Sequence, residues 1–145
     1  MFKHFLLPTD GSDLSQIAIR KGVQFAKSIG AKVTGLCVIS PMKNCLYLTE
    51  ITDEFKAEMA NRQKLEADRN CDFIEKVSKE AGVPCETLCE ASDHPHEAII
   101  EVCEKRGCDL IMMASHGRKG VASLLLGSET QKVLTHSRIP VMVLR

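Results

Sequence analysis

The sequence predicts an α/β fold, a single doubly wound domain over residues 1–145 with a five-stranded parallel sheet and helices on both faces. Apolar runs of strand length alternate with amphipathic stretches of helical length along the whole chain. Three of the helical stretches end at a glycine that leads directly into a strand, namely Gly30, Gly82 and Gly107. Strands joined in this way by helices pair in parallel through right-handed crossovers, which cover both faces of the sheet.

The first three elements are predicted to be a strand, a helix and a strand. Residues 2–8 (FKHFLLP) form a short apolar run that ends at a proline. Residues 12–30 form an amphipathic helix that Ser12 can cap. The apolar face of this helix is predicted to consist of Leu14, Ile17, Ala18, Phe25 and Ile29. Residues 31–40 follow as the second strand.

A loop over residues 41–50 and a long helix over residues 51–81 come next. The apolar side chains that share one face of this helix are Ile51, Phe55, Met59, Phe73 and Val77. Arg62, Glu66 and Arg69 interrupt that face. We therefore expect the second half of the helix to dock on the sheet and the first half to be partly exposed.

The remaining elements are predicted as strand 83–91, helix 95–107, strand 108–115, helix 128–138 and strand 139–145. The fourth strand (CDLIMMAS) is almost entirely apolar, which is typical of a central parallel strand. Ser92 or Asp93 is the expected cap of the third helix. His94 and His96 flank a proline there and lack further obvious ligands, so a helix-start loop is favoured over a metal site.

Composition excludes several classes of protein. Nineteen basic residues balance nineteen acidic ones, which argues against a nucleic-acid-coating or membrane-surface protein. No apolar run approaches the roughly 20 residues of a membrane span. The apolar run Phe5–Leu7 is too short for a signal peptide, so a cytoplasmic location is expected. The seven cysteines match no zinc or redox spacing, and most are expected to be thiols that fill apolar space.

Two loops carry the candidate ligand-binding residues. One follows the first strand and contains Pro8, Thr9 and Asp10, and the other is the stretch 114–130 (ASHGRKGVASLLLGSET) after the fourth strand. Ligands of open α/β sheets bind beyond the carboxyl ends of the strands, where the winding direction reverses. If the first and fourth strands are neighbours, the two loops face each other across one crevice.

The residue types in these loops suit a nucleotide. Gly127 and Ser128 open the fourth helix, where backbone N–H groups and the helix dipole favour a phosphate. Asp10 is suited to accept hydrogen bonds from a ribose. The Walker and dinucleotide fingerprints are both missing, and a plain structural turn stays open as the alternative. Similarly, His116 is expected to shape the loop by local hydrogen bonding, while Arg118 and Lys119 either screen phosphate or are simply solvated.

The chain resembles the universal stress protein family, specifically its ATP-binding branch, over essentially its whole length. The resemblance lies in LLPTDGS near the start, in CDLIMMASHGRKG, and in the closing LLLGSETQKVLTHSRIPVMVLR. The family's binding signature is G-x-x-G, nine residues, then G-[ST]. Gly117 and the pair Gly127-Ser128 match it, with residues 118–126 between them, and Ala114 stands where the family has its first glycine.

The resemblance implies strand order 3-2-1-4-5 and ATP, or ADP or AMP, in the crevice with Mg²⁺ on its phosphates. It implies that Asp10 bonds the ribose, that the Val38 backbone bonds the adenine edge, and that the family's dimer contact falls on the C-terminal strand 139–145. The resulting candidate binding residues are Pro8, Thr9, Asp10, Val38, Ala114, Ser115, His116, Gly117, Arg118, Gly120, Gly127, Ser128 and Glu129.

The function expected from the sequence is that of a cytoplasmic, homodimeric, ATP-binding regulatory protein with slow or no hydrolysis. An enzyme acting on a nucleotide, with Asp10 and His116 as acid–base groups, is the first alternative. A nucleotide-free dimeric scaffold is the second, because Ala114 replaces a signature glycine. If that position needed a left-handed backbone, alanine would cost roughly 1–2 kcal/mol there.

Overall fold

Strands and helices alternate along the described chain, which comprises residues 1–41, 51–117 and 125–145 of the computed structural model. In chain order the elements are β1 (His4–Thr9), α1 (Asp13–Ile29), β2 (Lys32–Ile39), α2 (Asp53–Ala81), β3 (Cys85–Ala91), α3 (Pro95–Arg106), β4 (Leu110–Ala114), α4 (Ser128–His136) and β5 (Val141–Leu144). The predicted element order is therefore confirmed, with ends that differ from the predicted ones by at most two residues. Nearly all of the predicted loop 41–50 lies outside the described residues.

The five strands form one parallel sheet in the order β3-β2-β1-β4-β5. This confirms the predicted fold class and the strand order that the family resemblance implied. From β1 the chain first adds β2 and β3 on one side and then β4 and β5 on the other. The direction in which the chain winds across the sheet therefore reverses at β1. In an open α/β sheet, this reversal marks where a ligand crevice forms.

Alternate residues of the central strands supply two apolar cores, because successive side chains of a strand point to opposite faces. Phe5 and Leu7 pack with residues of α1 and α2 on one face. Leu6 and Ile111 pack with residues of α3 and α4 on the other face. The helices therefore cover both faces, as predicted.

The apolar face predicted for α1 is wrong in part. Leu14, Ile17 and Ile29 are exposed, by 37%, 44% and 44% respectively. The buried residues of the helix are Ser15, Ala18, Ile19, Gly22, Val23 and Ala26. Small residues let the helix lie close to the sheet, so the buried stripe follows small side chains as well as large apolar ones.

Helix α2 docks through its second half, as predicted. Its buried residues are Ala67, Cys71, Ile74, Val77 and Ser78, and Phe55 in the first half is exposed. Gly35 of β2 permits this close docking, since a Cβ at that position would lie 2.7 Å from Cδ1 of Ile74. A glycine in the middle of a strand often marks such a close approach.

The three helix ends predicted from glycines are confirmed, but the predicted cap at the start of α3 is not. Gly30, Gly82 and Gly107 end their helices in the left-handed conformation, with φ values of 70°, 72° and 65°. The predicted cap of α3 by Ser92 or Asp93 is wrong, because the N-cap residue is His94 and no side chain caps this helix. The Ser92 hydroxyl instead accepts the backbone N–H of His94 at 3.1 Å.

No helix within the described ranges is both long and apolar enough to cross a lipid bilayer.

Candidate functional site

A cavity of about 440 Å³ lies where β1 and β4 separate. The described ladder between these two strands pairs Phe5 with Leu110 and Leu6 with Ile111, whereas β1 stays paired with β2 as far as Thr9. Pro8, which has no N–H group to donate to β4, lies just beyond the last of these pairs. The carboxyl ends of β1 and β4 therefore leave an open space between them.

The cavity brings together most of the residues that the sequence singled out. Its walls include Pro8, Thr9, Asp10, Val38, Ala114, His116, Gly117, Gly127, Ser128 and Glu129. Ser115 does not line the cavity and is buried behind it. The predicted residues Arg118 and Gly120 lie outside the described part of the chain.

The loop after β1 is held in one shape by its own side chains. The Asp10 carboxylate accepts the backbone N–H of Ser12 at 2.9 Å, and the Thr9 hydroxyl accepts that of Gly11 at 3.1 Å. Gly11 adopts a φ of +78°, a left-handed conformation that favours glycine. Ser12 then caps α1 as predicted, accepting the N–H of Ser15. These bonds fix the position of the Asp10 carboxylate at the cavity.

Gly117 meets the Asp10 carboxylate across the cavity. A Cβ added at Gly117 would collide with Oδ2 of Asp10. The two predicted loops therefore do face each other, and they touch at these residues. Glycine is favoured at position 117 by the space that Asp10 takes up and not by its backbone, since Gly117 is not among the positive-φ glycines of the described chain.

Ala114 is the last residue of β4 and has an extended backbone. A left-handed conformation is therefore not required at this position, and the energetic cost considered for alanine does not arise. The side chain is 7% exposed and lies against the cavity. A small side chain such as that of alanine is therefore sufficient at position 114.

The first turn of α4 presents its backbone N–H groups without a side-chain cap. Gly127 is the N-cap residue, so Ser128 is the first helical residue and does not cap the helix. The N–H of Gly127 donates to the carbonyl of Ser115 at 2.7 Å, which engages it within the protein. The first bond within the helix runs from the N–H of Gln131 to the carbonyl of Gly127. The N–H groups of the first turn therefore point out of the start of the helix.

Buried hydrogen bonds join β4 to this helix start. The Thr130 hydroxyl donates to the carbonyl of Ala114 at 3.0 Å, and Thr130 is 3% exposed. Nδ1 of His116 lies 2.9 Å from the Ser115 hydroxyl, the local role predicted for this histidine. The bonds from Thr130 to Ala114 and from Gly127 to Ser115 hold the two ends of the signature segment together.

Glu129 links the starts of α3 and α4. One of its oxygens, Oε2, accepts the backbone N–H of His96 at 3.1 Å and lies 3.3 Å from Nδ1 of the same residue. The other oxygen lies 3.3 Å from Nζ of Lys132. Across the described chain, no group of three or more His, Cys, Asp or Glu side chains is arranged to hold a metal ion.

Sequence reasoning missed the wall that α2 contributes. This wall consists of Gln63, Glu66, Ala67 and Asn70. Their spacing of three and four residues places them on one helical face, and that spacing was the available signal. Because the connection from β2 to α2 is long, the sequence does not show that this helical face lies over the ends of β1 and β2. The Asn70 side chain lies beside Gly11, 2.5 Å from where a Cβ of that residue would be.

The described wall of the cavity is acidic and partly apolar. Asp10, Glu66 and Glu129 contribute carboxylates, and no lysine or arginine is among the lining residues that the structure describes. Val38, Ile39 and Met113 contribute apolar surface. The cavity therefore combines an apolar wall, a fixed carboxylate and a helix start, which can bind an apolar ring, hydroxyl groups and an anion respectively.

Comparison with protein families identifies one match over the whole chain. The model of the universal stress protein family matches residues 1–145. Universal stress protein MJ0577 of Methanocaldococcus jannaschii is 30% identical, covering 100% of this chain and 96% of that protein. The solved structure of MJ0577 superposes with a TM-score of 0.82 at 32% identity, over 99% of this chain and 96% of that one.

Two solved structures of more distant relatives share the fold and hold nucleotides. A universal stress protein in complex with cAMP has a TM-score of 0.70 at 21% identity, covering 99% of this chain and 97% of that one. The universal stress protein of Archaeoglobus fulgidus in complex with dAMP has a TM-score of 0.67 at 16% identity, covering 100% and 98%. At these identities the likeness establishes the shared fold.

Proposed function

The chain belongs to the universal stress protein family, and on that premise we propose that it is a cytoplasmic regulatory protein that binds ATP or another adenine nucleotide. The ligand would occupy the cavity between the ends of β1 and β4. Relatives of the same fold are named for complexes with cAMP and dAMP, which supports an adenine nucleotide as the class of ligand.

The contact between the two loops is the observation that carries this proposal. Gly117 and the Asp10 carboxylate approach so closely that a side chain at position 117 would have to displace the carboxylate. The uncapped first turn of α4 opens on the same cavity through Ser128. A site for hydroxyl groups and a site for an anion are thus adjacent, as a nucleotide requires. The volume of about 440 Å³ falls within the range of roughly 300–1,000 Å³ that is usual for small-molecule sites.

We assign the parts of the ligand to particular groups. Asp10 would accept hydrogen bonds from the ribose, and the Val38 backbone would bond the adenine edge. The phosphates would lie at Gly117 and at the start of α4, where the helix dipole favours an anion, with Gly127 leaving room for them. Because the N–H of Gly127 already donates to Ser115, this residue contributes space and not a donor. Arg118 and Gly120 belong to the same proposal, although they lie outside the described residues.

The acidic wall bears on the role of magnesium. Three carboxylates line the described cavity, and a divalent cation carried by the phosphates would moderate their charge beside these groups. Mg²⁺ entering with the nucleotide would neutralise part of the phosphate charge and let it approach Asp10 and Glu129. We therefore propose that the magnesium complex of the nucleotide is the form that binds.

We propose that hydrolysis is slow or absent. Of the two acid–base candidates, Asp10 accepts the N–H of Ser12 and His116 is engaged with the Ser115 hydroxyl through Nδ1. Both side chains are thereby tied to the local loop structure. Rapid formation of ADP over many turnovers would instead support the alternative of a nucleotide hydrolase.

The test is direct binding to the purified protein. The protein is denatured and any released nucleotide identified, and fresh protein is then titrated with ATP in the presence and absence of Mg²⁺. We expect saturable binding and little ADP. Asp10→Ala removes hydrogen bonds to a charged group, each worth about 1.5–3 kcal/mol, so affinity should fall roughly 10- to 100-fold.

Asp13→Ala is the matched control, because Asp13 is an exposed acid on the first turn of α1 and does not line the cavity. This variant should bind like the wild type. Gly127→Val should abolish binding, since even a Cβ at this position lies 3.2 Å from the Ser115 carbonyl. If ATP does not bind and Gly127→Val behaves like the wild type, the nucleotide-free scaffold becomes the correct assignment.

We also propose a homodimer that forms through the C-terminal strand, residues 139–145. Strand β5 is an edge of the sheet, and all four of its residues are half-buried and apolar. An unprotected apolar edge invites pairing with a second copy. Sedimentation should show a dimer that Val143→Lys converts to a monomer, whereas Leu134→Lys on α4 should leave the dimer intact.

A further inference from the structure

Two thiols meet on the side of α2 that faces the sheet. Sγ of Cys71 lies 3.4 Å from Sγ of Cys89 of β3, and both cysteines are in the free form. We propose that Cys71 and Cys89 are a modification site, a pair that forms a reversible disulfide when the protein meets a peroxide. This proposal is independent of nucleotide binding.

The geometry favours a disulfide bond between Cys71 and Cys89. A disulfide bond is about 2.0 Å long, so the sulfurs must approach by about 1.4 Å. Cys71 is anchored in a small core with Cys37 and Ala67, and is 7% exposed. Cys89 lies on β3, an edge strand of the sheet, and is exposed. The sulfur of Cys89 can therefore make this short movement, because an exposed side chain on an edge strand has few neighbours to displace.

The two thiols differ in exposure, and this sets the order of reaction. Burial, with the contact to Cys89 as a second cause, raises the pKa of Cys71 to about 12, so this thiol stays protonated at neutral pH. Cys89 is exposed to solvent and is the thiol that a peroxide can reach. The Cys89 thiolate attacks hydrogen peroxide, forming an S–O bond and breaking the O–O bond. The products are a sulfenic acid on Cys89 and, after proton uptake, one water.

Cys71 then resolves the sulfenic acid. Its sulfur attacks Sγ of Cys89 while its proton passes to the departing oxygen, so that the S–S bond forms and the S–O bond breaks. The proton of the Cys71 thiol leaves with the oxygen as a second water. Two thiols have lost two electrons in total, and hydrogen peroxide has been reduced to two waters. A dithiol reductant reverses the reaction and is itself oxidised to a disulfide.

Other cysteines of the described chain are placed differently. Cys103 and Cys108 are close to each other but 0% and 6% exposed, so an oxidant does not reach them in the folded protein. Cys85 lies on the same strand as Cys89, and its contact at 3.6 Å is to the carbonyl of Glu86. Cys85 is therefore a matched control.

The pair lies directly behind the cavity. Cys71 follows Asn70 in the chain and lies one turn beyond Ala67, and both of those residues line the α2 wall. Cys37, which is paired with Cys89 in the sheet register, also lines the cavity. A bond between Cys71 and Cys89 would tie this wall to the edge of the sheet.

The experiment maps the bond in the full chain. Reduced protein is treated with a slight excess of hydrogen peroxide, unfolded in urea so that buried thiols react, alkylated with iodoacetamide, and digested with a protease specific for glutamate. Cleavage after Glu66, Glu75, Glu86 and Glu90 places Cys71 in peptide 67–75 and Cys89 in peptide 87–90, each as a single cysteine. We expect these two peptides to be joined, with the joined mass lost after treatment with dithiothreitol.

Variants make the result decisive. Cys85→Ser should leave the joined peptide unchanged, and Cys89→Ser should remove it while Cys71 is recovered alkylated. Cys71→Ala should instead leave Cys89 to oxidise further, to the sulfinic acid. Circular dichroism checks the fold of each variant. Because Cys89 is exposed, Cys89→Ser is the substitution that the fold should tolerate best. The proposal is overturned if Cys71 stays alkylatable in oxidised wild type, or if Cys89 is recovered joined to any other peptide, including its own copy from a second chain.

Discussion

The carboxylate of Asp10 occupies the space in which a side chain at Gly117 would begin. The Asp10 carboxylate is held from the other side by the N–H of Ser12, so it cannot rotate away without breaking that bond. Two loops that are far apart in the sequence thus depend on each other for their shape.

Gly117→Ala should therefore destabilise the protein, and the effect should depend on Asp10. Introducing a methyl group into a filled space costs about 1–3 kcal/mol in free energy of unfolding. In an Asp10→Ala background the colliding atoms are gone, so the same substitution should cost much less. Urea unfolding of the wild type, both single variants and the double variant measures the coupling, which we expect to exceed about 0.5 kcal/mol. Additive effects would contradict the contact.

Thr130→Val should destabilise the junction between β4 and α4. The variant keeps the shape of the side chain but removes the hydroxyl that donates to the carbonyl of Ala114. A buried acceptor left without its donor costs about 1–3 kcal/mol. Thr135→Val is the control on the same helix, because the Thr135 hydroxyl donates to Gln131 at an exposed position. Its effect should stay within about 0.5 kcal/mol, and equal losses in the two variants would contradict the prediction.

Stability should fall below neutral pH because of His4. Its side chain is 5% exposed, and Nε2 lies 2.7 Å from the Thr34 hydroxyl, which in turn donates to Glu86. Burial, with the charge of Lys32 as a second cause, lowers the pKa of His4 below its ordinary value of 6.5. The unfolded chain then binds a proton more readily than the folded one as the pH drops through 6.5.

The contribution of His4 to stability is therefore present above pH 6.5 and is lost as the pH falls toward the lowered pKa of the folded state. One proton accounts for a slope of at most about 1.4 kcal/mol per pH unit. His4→Gln, which cannot take up that proton, should flatten the dependence of the urea midpoint between neutral and mildly acidic pH. An unchanged slope in this variant would assign the acid sensitivity to other groups.

Gly35→Ala should separate α2 from the sheet. The new methyl group would lie 2.7 Å from Cδ1 of Ile74 and 3.1 Å from Cγ2 of Thr87, within a filled core. We expect a loss of about 1–3 kcal/mol in free energy of unfolding. Ile74→Val removes the nearest atom, so it should partly rescue Gly35→Ala. Thermal unfolding of the single and double variants measures this, and a double variant less stable than additivity predicts would refute the assigned contact.

The sequence by itself determined the fold class, the element order and the helix ends. Helical and strand periodicities are local properties, and a glycine that ends a helix does so through its own backbone. The two candidate loops could also be named in advance, because the carboxyl ends of parallel strands lie at one edge of the sheet. The prediction that Ser12 caps α1 is confirmed, because such a cap is a hydrogen bond between residues close in sequence.

Only the tertiary structure decided which surfaces meet. The buried stripe of α1 depends on how closely the helix approaches the sheet, so residues such as Ile17 are exposed although their pattern is apolar. The α2 wall of the cavity and the contact between Cys71 and Cys89 depend on where a long helix crosses the strand ends. The preference for glycine at position 117 comes from an atom of Asp10, and a distance between residues remote in sequence exists only once the chain is packed.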